Sequence, residues 1–488
     1  MAYMDIREYI NRLEKEGEIT RIKEEVDWNL EMGAIVRRCH ETGAPAPLAE
    51  NVKGYPGWQL VGGMMGGSVV NGRKAPFRRI NIALGIDPDA SPGDTIEEYI
   101  KRSDNPIKPF EIKKEDAKCK ENIFVGDAVD LFSLPAPLIH DGDGGRYVAS
   151  WHATITEDPE TGWVNWGMYR GHILTKNIIA GLFLPFAHGT VIHRKYLAEN
   201  KPMPVAIAIN SDPFSLIVSS SYLEPGVSEV EVAGGLANEP MKLVKCETSD
   251  ILVPADSEVV IEAEIMPDLV TEEGPFGEYT GFRVTERTTV QRVVYKVKAI
   301  THRNNPIFGM SCMGMPVDDY ATIGSLSISS ETLKIFRAEK FPVKAVYSPP
   351  YVTTVAIFIS TDVPYGNFAH TLASRIWGAR IGSYTHWIYV VPPNVDIFDA
   401  EKMFHAIGYR CHPVNGISKH EKMHGMVLDP FLSQHERVYG LGSGVVIDCT
   451  WPNDWELKPL ESSFESIYPQ EIQEKVLSKW KKDYGYKE

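Results

Sequence analysis

The chain has 488 residues, of which 43% are hydrophobic and 24% are charged, a balance typical of a globular protein rather than a disordered one. A chain of this length is too long for one compact core, so we expect two or three domains. The formal net charge of −15 argues against nucleic acid or an anionic membrane as a partner, because both attract basic surfaces.

The start of the chain and its cysteines narrow the class of protein further. The first residues, MAYMDIREYI, are charged and lack an apolar run of signal-peptide length. No segment reaches roughly 18 consecutive apolar residues, so we expect no membrane span and a cytoplasmic location. The six cysteines are scattered without a CxxC pair, which argues against a disulfide framework or a thiolate zinc site.

Residues 1–115 are predicted to form an N-terminal α/β segment. Hydrophobic periodicity and capping residues indicate helices, and glycines interrupt the strands between them. The predicted elements are a helix at 5–16 capped by Asp5, a helix at 29–41 ended by Gly43, strands within 57–85, and a helix near 95–102. The glycines of the strand region have neither the Lys-Ser/Thr ending of a P-loop nor a GxGxxG spacing, which argues against phosphate binding there.

The middle of the chain, 116–320, is predicted to be rich in strands, and helices alternate with strands after about residue 320. A hairpin is indicated where two strand-like runs flank the turn residues DPETG. The predicted strands of the middle are 146–156, 163–174, 204–210, 257–266 and 290–302. The later part predicts an α/β arrangement, with helices at 324–339, 367–377, 398–408 and 469–484 and strands at 352–360, 387–391 and 444–449.

Two glutamates flank a short segment that is expected to bend. In the run EGPFGE, a proline and two glycines lie between Glu273 and Glu278, which predicts a tight bend that brings the two acids together. One interpretation is a solvated acidic turn. The other is a carboxylate pair in which one member has a raised pKa and donates a proton.

The run NWGMYR (165–170) places an amide and a guanidinium on one predicted strand. Strict alternation would put Asn165 and Arg170 on opposite faces of the sheet. They serve one site only if the strand bends, and Gly167 is the plausible place for this. An arginine suits a carboxylate or a phosphate, because its planar fork binds either of them with two hydrogen bonds.

Three residues far apart in sequence form a candidate ligand set for a metal. Asn165, His188 and Glu229 would supply oxygen, nitrogen and oxygen, a set that suits a hard or borderline divalent cation such as Mn2+. The alternative is that His188 belongs to the core and Glu229 is an ordinary loop acid. The spacing alone leaves both interpretations open.

Several motifs in a fixed order resemble the UbiD family, and most closely its ferulic and aromatic acid decarboxylase branch. The resemblance covers nearly the whole chain. The motifs are PAPLIHDGDGGRYV (135–148), NWGMYR (165–170), EPGVSE (224–229), LVKCETSDILVPADSEVVIE (243–262), EGPFGE (273–278), IGSL (323–326), VDIFDAEKMFHAIGYRCHP (395–413) and the tail from 463 to 486.

The resemblance implies a three-part fold of mixed α/β class. An N-terminal α/β segment (1–115) would precede a split β-barrel domain that binds prenylated FMN (116–320). A connecting helix and a C-terminal α/β domain (321–488) would mediate self-association into a homodimer or a hexamer.

The resemblance also implies roles for individual residues. Arg170 would hold the substrate carboxylate, Glu278 would deliver the proton that replaces CO2, and Glu273 would orient Arg170. Asn165, His188 and Glu229 would bind the divalent ion, and Trp166, Val218, Ser219, Ser221 and Glu229 would bind K+. The residues implied to contact the cofactor are Asn165, Trp166, Gly167, Met168, Tyr169, Arg170, Ala187, His188, Glu229 and Arg380.

Some positions near the implied site depart from the family pattern. Ala187 stands where relatives carry Gln, Tyr222 where they carry Pro, and Tyr279 where ferulic-type relatives carry Met or His. Leu184 and the segment 426–428 also map near the pocket. These departures bear on the substrate rather than on the reaction.

The implied activity is a reversible, non-oxidative decarboxylation of an aromatic, heteroaromatic or α,β-unsaturated acid with prenylated FMN, Mn2+ or a similar ion, and K+. A flavin prenyltransferase would supply the cofactor. The alternatives are a non-catalytic flavin-binding subunit of a larger (de)carboxylase and a flavin reductase or oxidase. The chain keeps all three residues of the Glu-Arg-Glu network and has no nicotinamide fingerprint, and both facts favour the decarboxylase.

The substrate is expected to be a hydroxylated benzoate or a heteroaromatic acid rather than a cinnamate. Tyr279 would add a polar ring beside the proton donor. Asp318, Asp319 and Tyr320 would present acceptors to ring hydroxyl or ring N–H groups. The alternative is that the two aspartates face solvent.

Overall fold

The computed structural model describes residues 5–283, 292–315 and 317–486. Within them the chain mixes helices and sheets, which confirms the predicted fold class. The largest sheet has nine strands and curls into a half-barrel, and the other sheets have four, three, five and two strands. None of the helices in these ranges is long and apolar enough to cross a bilayer.

The N-terminal part confirms the three predicted helices. Asp5 caps the first helix by accepting a hydrogen bond from the backbone N–H of Arg7 (2.7 Å), and Gly43 ends the second with a left-handed φ of 65°. The elements are α1 (Ile6–Lys15), β1 (Ile19–Val26), α2 (Glu31–Thr42), β2 (Ala46–Val52), β3 (Gln59–Gly62), β4 (Ser68–Val70), β5 (Arg73–Ala75), α3 (Arg78–Leu84) and α4 (Pro92–Ser103).

One segment of this part was predicted as strand and is helical. Residues 78–84 form α3, although the sequence indicated strands throughout 57–85. Arg79 of this helix is buried, and its guanidinium donates to Glu18 (2.9 Å) and to the carbonyl of Gly63 (2.6 Å). These partners lie far away in sequence, so no local apolar period reveals the helix.

The middle of the chain builds the curled sheet. Its elements are β6 (Phe110–Glu111), β7 (Asn122–Val125), β8 (Tyr147–Ala149), β9 (His152–Glu157), β10 (Val164–Gly167), β11 (Gly171–Thr175), β12 (Ile178–Gly181), α5 (His188–Ala198), β13 (Met203–Ile209), α6 (Pro213–Ser219), α7 (Glu229–Ala237), β14 (Lys242–Lys245), β15 (Leu252–Pro254), β16 (Val259–Thr271), β17 (Arg292–His302) and β18 (Ile307–Met310). The strand order is β10-β9-β13-β16-β17-β12-β11-β8, with β7 beside β17.

The predicted hairpin around DPETG is confirmed, because β9 and β10 pair antiparallel on either side of it. The helices α5, α6 and α7 were not predicted. All residues of α6 are buried, so this helix has no polar face and no amphipathic period for a sequence to display. These helices matter for the site, because α6 and α7 pack on each other and on β10.

The last part of the chain is an α/β unit, as predicted. Its five-stranded sheet has the order β19-β20-β21-β23-β22, and the edge strands β19 and β22 were not predicted. Most residues of β22 are exposed, so it lacks the apolar alternation of a strand that packs on a core. The elements are α8 (Asp319–Ala338), β19 (Val343–Tyr347), β20 (Ala356–Thr361), α9 (Phe368–Trp377), β21 (Trp387–Val391), α10 (Ala400–Tyr409), β22 (Ile417–His424), α11 (Gln434–Tyr439), β23 (Leu441–Asp448), α12 (Phe464–Ile467) and α13 (Gln470–Trp480).

Candidate active site

A cavity, here called the central cavity, lies where the curled sheet, the helices α5 to α8 and the C-terminal part meet. Most of the residues predicted for the site line it: Asn165, Trp166, Gly167, Met168, Tyr169, Arg170, Ala187, His188, Ser219, Ser221, Glu229, Glu278 and Arg380. Glu273 is not in the lining but contacts Arg170 from behind, and Val218 is buried in α6. The structure thus brings together residues that are more than 200 positions apart in the sequence.

The end of β10 explains how one strand serves the cavity with both Asn165 and Arg170. The strand ends at Gly167, and residues 168–170 leave the ladder before β11 begins. A Cβ on Gly167 would lie 2.6 Å from the Tyr169 ring, so glycine lets that ring fold back over the strand end. The predicted break at Gly167 is confirmed.

Arg170 is held between two glutamates. Its Nε donates to Glu273 Oε1 (2.8 Å) and its Nη2 to Glu273 Oε2 (2.7 Å), which is the bidentate geometry of a strong ion pair. Its Nη1 contacts Glu278 Oε1. The bend between the two glutamates therefore brings both acids onto one guanidinium, and they do not form a solvated turn, since both side chains are buried.

Glu273 is set up to stay ionised. Burial alone would raise the pKa of this carboxyl, but the charge and hydrogen bonds of Arg170, with a hydrogen bond donated by the Tyr147 hydroxyl (2.7 Å), lower the pKa below its usual value. A fixed negative charge behind Arg170 holds the guanidinium in one orientation. Arg170 thus presents its Nη1 toward Glu278 and the cavity.

The turn that carries Glu278 is supported by the IHDGDGG segment, whose role the sequence did not reveal. Asp143 accepts hydrogen bonds from the backbone N–H of Gly277 (3.0 Å) and from His140 Nδ1 (2.9 Å). Burial would lower the pKa of His140, but contacts with Asp143 and Cys312 raise it to about 10, so His140 carries a proton. The charged pair of His140 and Asp143 therefore supports Gly277, the residue that precedes Glu278.

Asn165, His188 and Glu229 converge at one end of the central cavity. The Asn165 amide nitrogen lies 2.8 Å from Glu229 Oε1 and 3.5 Å from His188 Nδ1, and His188 Nδ1 lies 3.6 Å from Glu229 Oε1. Burial lowers the pKa of His188 against the opposing effect of Glu229, so the imidazole is neutral, the form that binds metals. Its Nε2 is buried and has no hydrogen-bond partner in the described part of the chain.

These three residues fit a divalent ion by the chemistry of their donors. A carboxylate, a neutral imidazole and an amide oxygen, which a flip of the Asn165 side chain would turn inward, suit Mn2+ or a similar cation. Within residues 5–283, 292–315 and 317–486, no group of three or more His, Cys, Asp or Glu side chains gathers in the manner of a metal site. The set here has two such side chains and one amide.

Three of the five residues expected around K+, Val218, Ser219 and Ser221, lie where α6 ends. The Ser219 hydroxyl donates to the carbonyl of Ser215 (2.6 Å), and the Ser221 hydroxyl donates to the carbonyl of Ile217 (2.8 Å). The backbone N–H of Trp166 donates to Glu229 Oε2 (3.2 Å), which connects this region to the divalent set.

The same end of the cavity has features that suit a phosphate group. Helix α5 begins after Ala187 without a side-chain cap, and the positive potential of its N-terminus attracts an anion, although the N–H of Gly189 already donates to the Tyr169 hydroxyl (3.0 Å). Arg380 also lines the cavity, where its Nη1 donates to the carbonyl of Leu223 and its Nε is buried without a hydrogen-bond partner among the described residues. Both groups add positive potential that suits the phosphate ester of a flavin.

Two of the residues expected to read the substrate do not reach the cavity. Asp318 caps α8 by accepting from the N–H of Ala321 (2.7 Å), and Asp319 accepts from the N–H of Met65 (2.7 Å) and the hydroxyl of Ser311 (3.1 Å). Both are fully buried, so the alternative that they face solvent is wrong as well. Their partners are backbone groups, a buried hydroxyl and, for Asp319, the His40 imidazole (3.4 Å), and only Tyr320 of this trio lines the cavity.

The positions that depart from the family pattern do line the cavity, and two aromatic residues of the lining, Trp151 and Tyr384, were missed. The lining includes Leu184, Ala187, Tyr222, Tyr279, Met426, Leu428 and the unpredicted Tyr384. Tyr384 follows a short 3-10 helix (Arg380–Ser383) in the C-terminal part, and no local motif signals that it faces the site. The C-terminal part thus closes the cavity with Tyr384 and the two residues of the 426–428 segment.

Three family models match the chain in consecutive stretches, and all describe one enzyme family. They are the 3-octaprenyl-4-hydroxybenzoate carboxy-lyase N-terminal domain (residues 10–99), its Rift-related domain (111–316) and its C-terminal domain (321–449). The fold and the site therefore define a carboxy-lyase.

Relatives along the full length agree with this class. Ferulic acid decarboxylase 1 of Saccharomyces cerevisiae is 30% identical over 501 residues, covering 99% of each chain. The closed form of the Sedimentibacter hydroxybenzoicus vanillic acid decarboxylase superposes with a TM-score of 0.88 at 32% identity, covering 99% of this chain and 100% of that one. The UbiD-class enzyme HmfF from Pelotomaculum thermopropionicum, in an evolved dimeric form in complex with prFMN, has a TM-score of 0.78 at 26% identity, covering 95% of this chain and 98% of that one. The chain belongs to the UbiD family.

Proposed function

We propose that the chain catalyses the reversible, non-oxidative decarboxylation of an aromatic or heteroaromatic carboxylic acid, with prenylated FMN bound in the central cavity. The observation that carries this proposal is Arg170, held between Glu273 and Glu278 with only 11% of its side chain exposed, in a cavity lined by apolar and aromatic side chains. A guanidinium binds a substrate carboxylate, and a neighbouring carboxylic acid can replace the departing CO2 with a proton.

The phosphate end of the cofactor would be held where Asn165, His188 and Glu229 converge. Asn165, His188 and Glu229 would bind Mn2+ or a similar ion against the flavin phosphate, and Arg380 and the N-terminus of α5 would add positive potential. Loss of CO2 from an sp2 carbon leaves a carbanion that no side chain can delocalise, and prenylated FMN, when bound, supplies the electron-accepting group for it. K+ would lie among Trp166, Val218, Ser219, Ser221 and Glu229 and brace the same region. A flavin prenyltransferase would supply the cofactor.

The protein's own part is to hold the carboxylate, exclude water and deliver one proton. A substrate carboxylate that binds Arg170 would compete with Glu278 for Nη1, the contact that Glu278 now makes. A second carboxylate at this place disfavours ionisation of Glu278, so Glu278 would take up a proton and become the acid. Glu273, ionised and bidentate, keeps Arg170 in place during the exchange.

A substrate panel tests the function and the class of acid together. The protein should be produced together with a flavin prenyltransferase and incubated with benzoates, cinnamates, and pyrrole, furan and indole carboxylates, with CO2 release as the readout. We expect release from hydroxybenzoates or heteroaromatic acids. Turnover of cinnamates alone would overturn the substrate class, and no release from any acid by cofactor-loaded protein would overturn the function.

Replacing His188 by alanine should remove the cofactor before it affects the chemistry. The change deletes one of three ligands, so metal affinity should fall by about tenfold or more, and flavin occupancy should fall with it. Metal analysis and the flavin absorbance of purified protein measure both. His193→Ala is the matched control, because His193 is a buried histidine of the same helix outside the cavity lining. Full metal and flavin content in His188→Ala would contradict the ligand role.

The C-terminal part has apolar surface that one chain leaves uncovered. Leu457 is 90% exposed, Leu460 74%, Leu477 63% and Tyr409 82%, and neither α12 nor α13 buries any residue. Exposed apolar area on this scale marks an interface, so we propose that it mediates a homodimer or a hexamer. Static light scattering should give a multiple of 54.6 kDa, and Leu477→Asp should lower the mass. A wild-type monomer would contradict the proposal.

A further inference from the structure

Four tyrosines from four separate parts of the chain face each other in the central cavity. They are Tyr222, Tyr279, Tyr320 and Tyr384, and all of them line it. The rings of Tyr279 and Tyr320 lie 4.5 Å apart between centroids, and those of Tyr222 and Tyr384 lie 4.7 Å apart. The hydroxyls of Tyr222 and Tyr320 are hydrogen-bonded to each other and are here called the hydroxyl pair.

The hydroxyl pair has hydrogen-bonding capacity that the protein does not use. In the described part of the chain, each of the two hydroxyls has the other as its hydrogen-bond partner. Two phenols carry two O–H donors and several lone pairs, and one mutual bond uses one donor. One donor and at least one acceptor therefore remain for a group inside the cavity. The hydroxyl of Tyr279 does not belong to this pair, because it donates a hydrogen bond to Met426 Sδ (3.4 Å).

The two phenols are neutral, which keeps the spare donor available. Burial raises the pKa of Tyr222 and of Tyr320 well above the usual value, and the neighbouring phenols add to the effect. A group that both donates and accepts, such as a ring hydroxyl, satisfies the pair. A substrate ring that carries only a hydrogen atom at this position leaves the spare donor and acceptor of the two phenols without a hydrogen bond, which is unfavourable in a buried site.

The pair stands in a continuous row of contacts that starts at the acids. Glu278 touches Arg170, and Tyr279 follows Glu278 directly in the chain. The Tyr279 ring packs on Tyr320, and Tyr320 reaches Tyr222. A benzoate held by its carboxylate on Arg170 would have its ring in the cavity that Tyr222, Tyr279 and Tyr320 line.

We propose that Tyr222 and Tyr320 form a receptor for a hydroxyl group on the substrate ring, remote from the carboxylate. This inference rests on the proposed function and names its substrate class as a ring-hydroxylated benzoate. It also explains why Tyr222 stands where relatives carry proline, since a proline side chain could neither donate nor accept a hydrogen bond.

Binding of two probes that differ by one hydroxyl tests the receptor. Isothermal titration of cofactor-loaded protein with 4-hydroxybenzoate and with benzoate gives a discrimination ratio of the two Kd values. We expect the wild type to bind 4-hydroxybenzoate at least about tenfold more tightly, the usual scale for a site built to hydrogen-bond a hydroxyl. Tyr320→Phe and Tyr222→Phe should each bring the ratio close to one, with the Kd of benzoate little changed.

A matched control and a second readout separate the receptor from the function. Tyr347→Phe removes a phenol oxygen from a buried tyrosine of β19 outside the cavity lining, and its ratio should equal that of the wild type. A wild type that binds both acids equally, or variants that keep the wild-type ratio, would overturn the receptor even if CO2 is released. Selective binding that the two variants lose, without CO2 release from either acid, would support the receptor and overturn the proposed decarboxylase.

Discussion

Glutamine in place of Glu278 is expected to lower the rate of decarboxylation by about 10²-fold or more, the usual scale for removal of a general acid. The amide keeps the shape of the side chain and its contact with Arg170, but it has no proton to give to the carbon that has lost CO2. Flavin and metal content should stay normal, because Asn165, His188 and Glu229 are untouched. CO2 release per bound cofactor under saturating substrate measures the effect.

Glu264→Gln is a suitable control for this variant. Glu264 lies on β16 of the nine-stranded sheet, where it pairs with Lys298 at the surface (2.8 Å). The same chemical change there should leave turnover unaltered. Near wild-type turnover by Glu278→Gln with bound cofactor would remove Glu278 from the chemistry. The bend between Glu273 and Glu278 would then be a structural ion pair.

Alanine in place of Arg170 is expected to have a larger effect, because it removes the carboxylate anchor and also disturbs the acid. We expect kcat/KM to fall by about 10³-fold or more, because the substrate loses the guanidinium that binds its carboxylate and the general-acid step is impaired as well. Arg170→Lys should recover little of this loss, since a point charge cannot hold Glu273 in two hydrogen bonds. Saturation curves for one substrate across the three proteins measure the effect.

The same substitution predicts a pH dependence of stability. In the wild type the pKa of Glu273 is lowered, so this carboxyl stabilises the folded protein above its unfolded pKa of about 4.3, and that stability is lost as the pH falls through the folded pKa. Without Arg170 the pKa of Glu273 should rise, because burial remains and only Tyr147 and Arg292 still oppose it, so the stabilisation that Glu273 gives at neutral pH should shrink. The gap in Tm between wild type and Arg170→Ala should therefore widen from pH 4 to pH 7, and a constant gap would contradict this role of Arg170.

Local patterns in the sequence predict those parts of the fold that depend on local forces. The helix α1 has both an apolar stripe and the Asp5 cap, and β21 was predicted with the bounds it has, 387–391. The bend between Glu273 and Glu278 follows from proline and glycine, which constrain or free the backbone wherever they occur.

Elements that depend on distant contacts could not be predicted in this way. The helix α6 is buried on every side, and α3 carries a buried Arg79 whose partner Glu18 lies 61 residues away. Such elements lack the one-sided apolar period on which sequence prediction relies. The division of the chain at 115 and 320 and the cytoplasmic location stay predictions.

In the candidate site, too, the sequence predicts what its local motifs carry and not what depends on distant contacts. The sequence motifs, through the family they resemble, named the residues that the structure gathers around Arg170 and His188. They did not show that Asp318 and Asp319 bond to backbone groups, because nothing local distinguishes an acid that caps a buried helix from one that faces a ligand. Nor did they reveal the hydroxyl pair, since Tyr222 and Tyr320 meet only in the folded chain.

The central claim is that this cavity removes CO2 from an aromatic acid with prenylated flavin, and one comparison tests it most directly. The protein is produced with and without a flavin prenyltransferase, the bound flavin is quantified in each, and CO2 release from 4-hydroxybenzoate and pyrrole-2-carboxylate is measured per bound flavin. We predict release only from the preparation that carries prenylated FMN. Equal release from protein that carries plain FMN, or none from fully loaded protein with any acid of the wider panel, would contradict the claim.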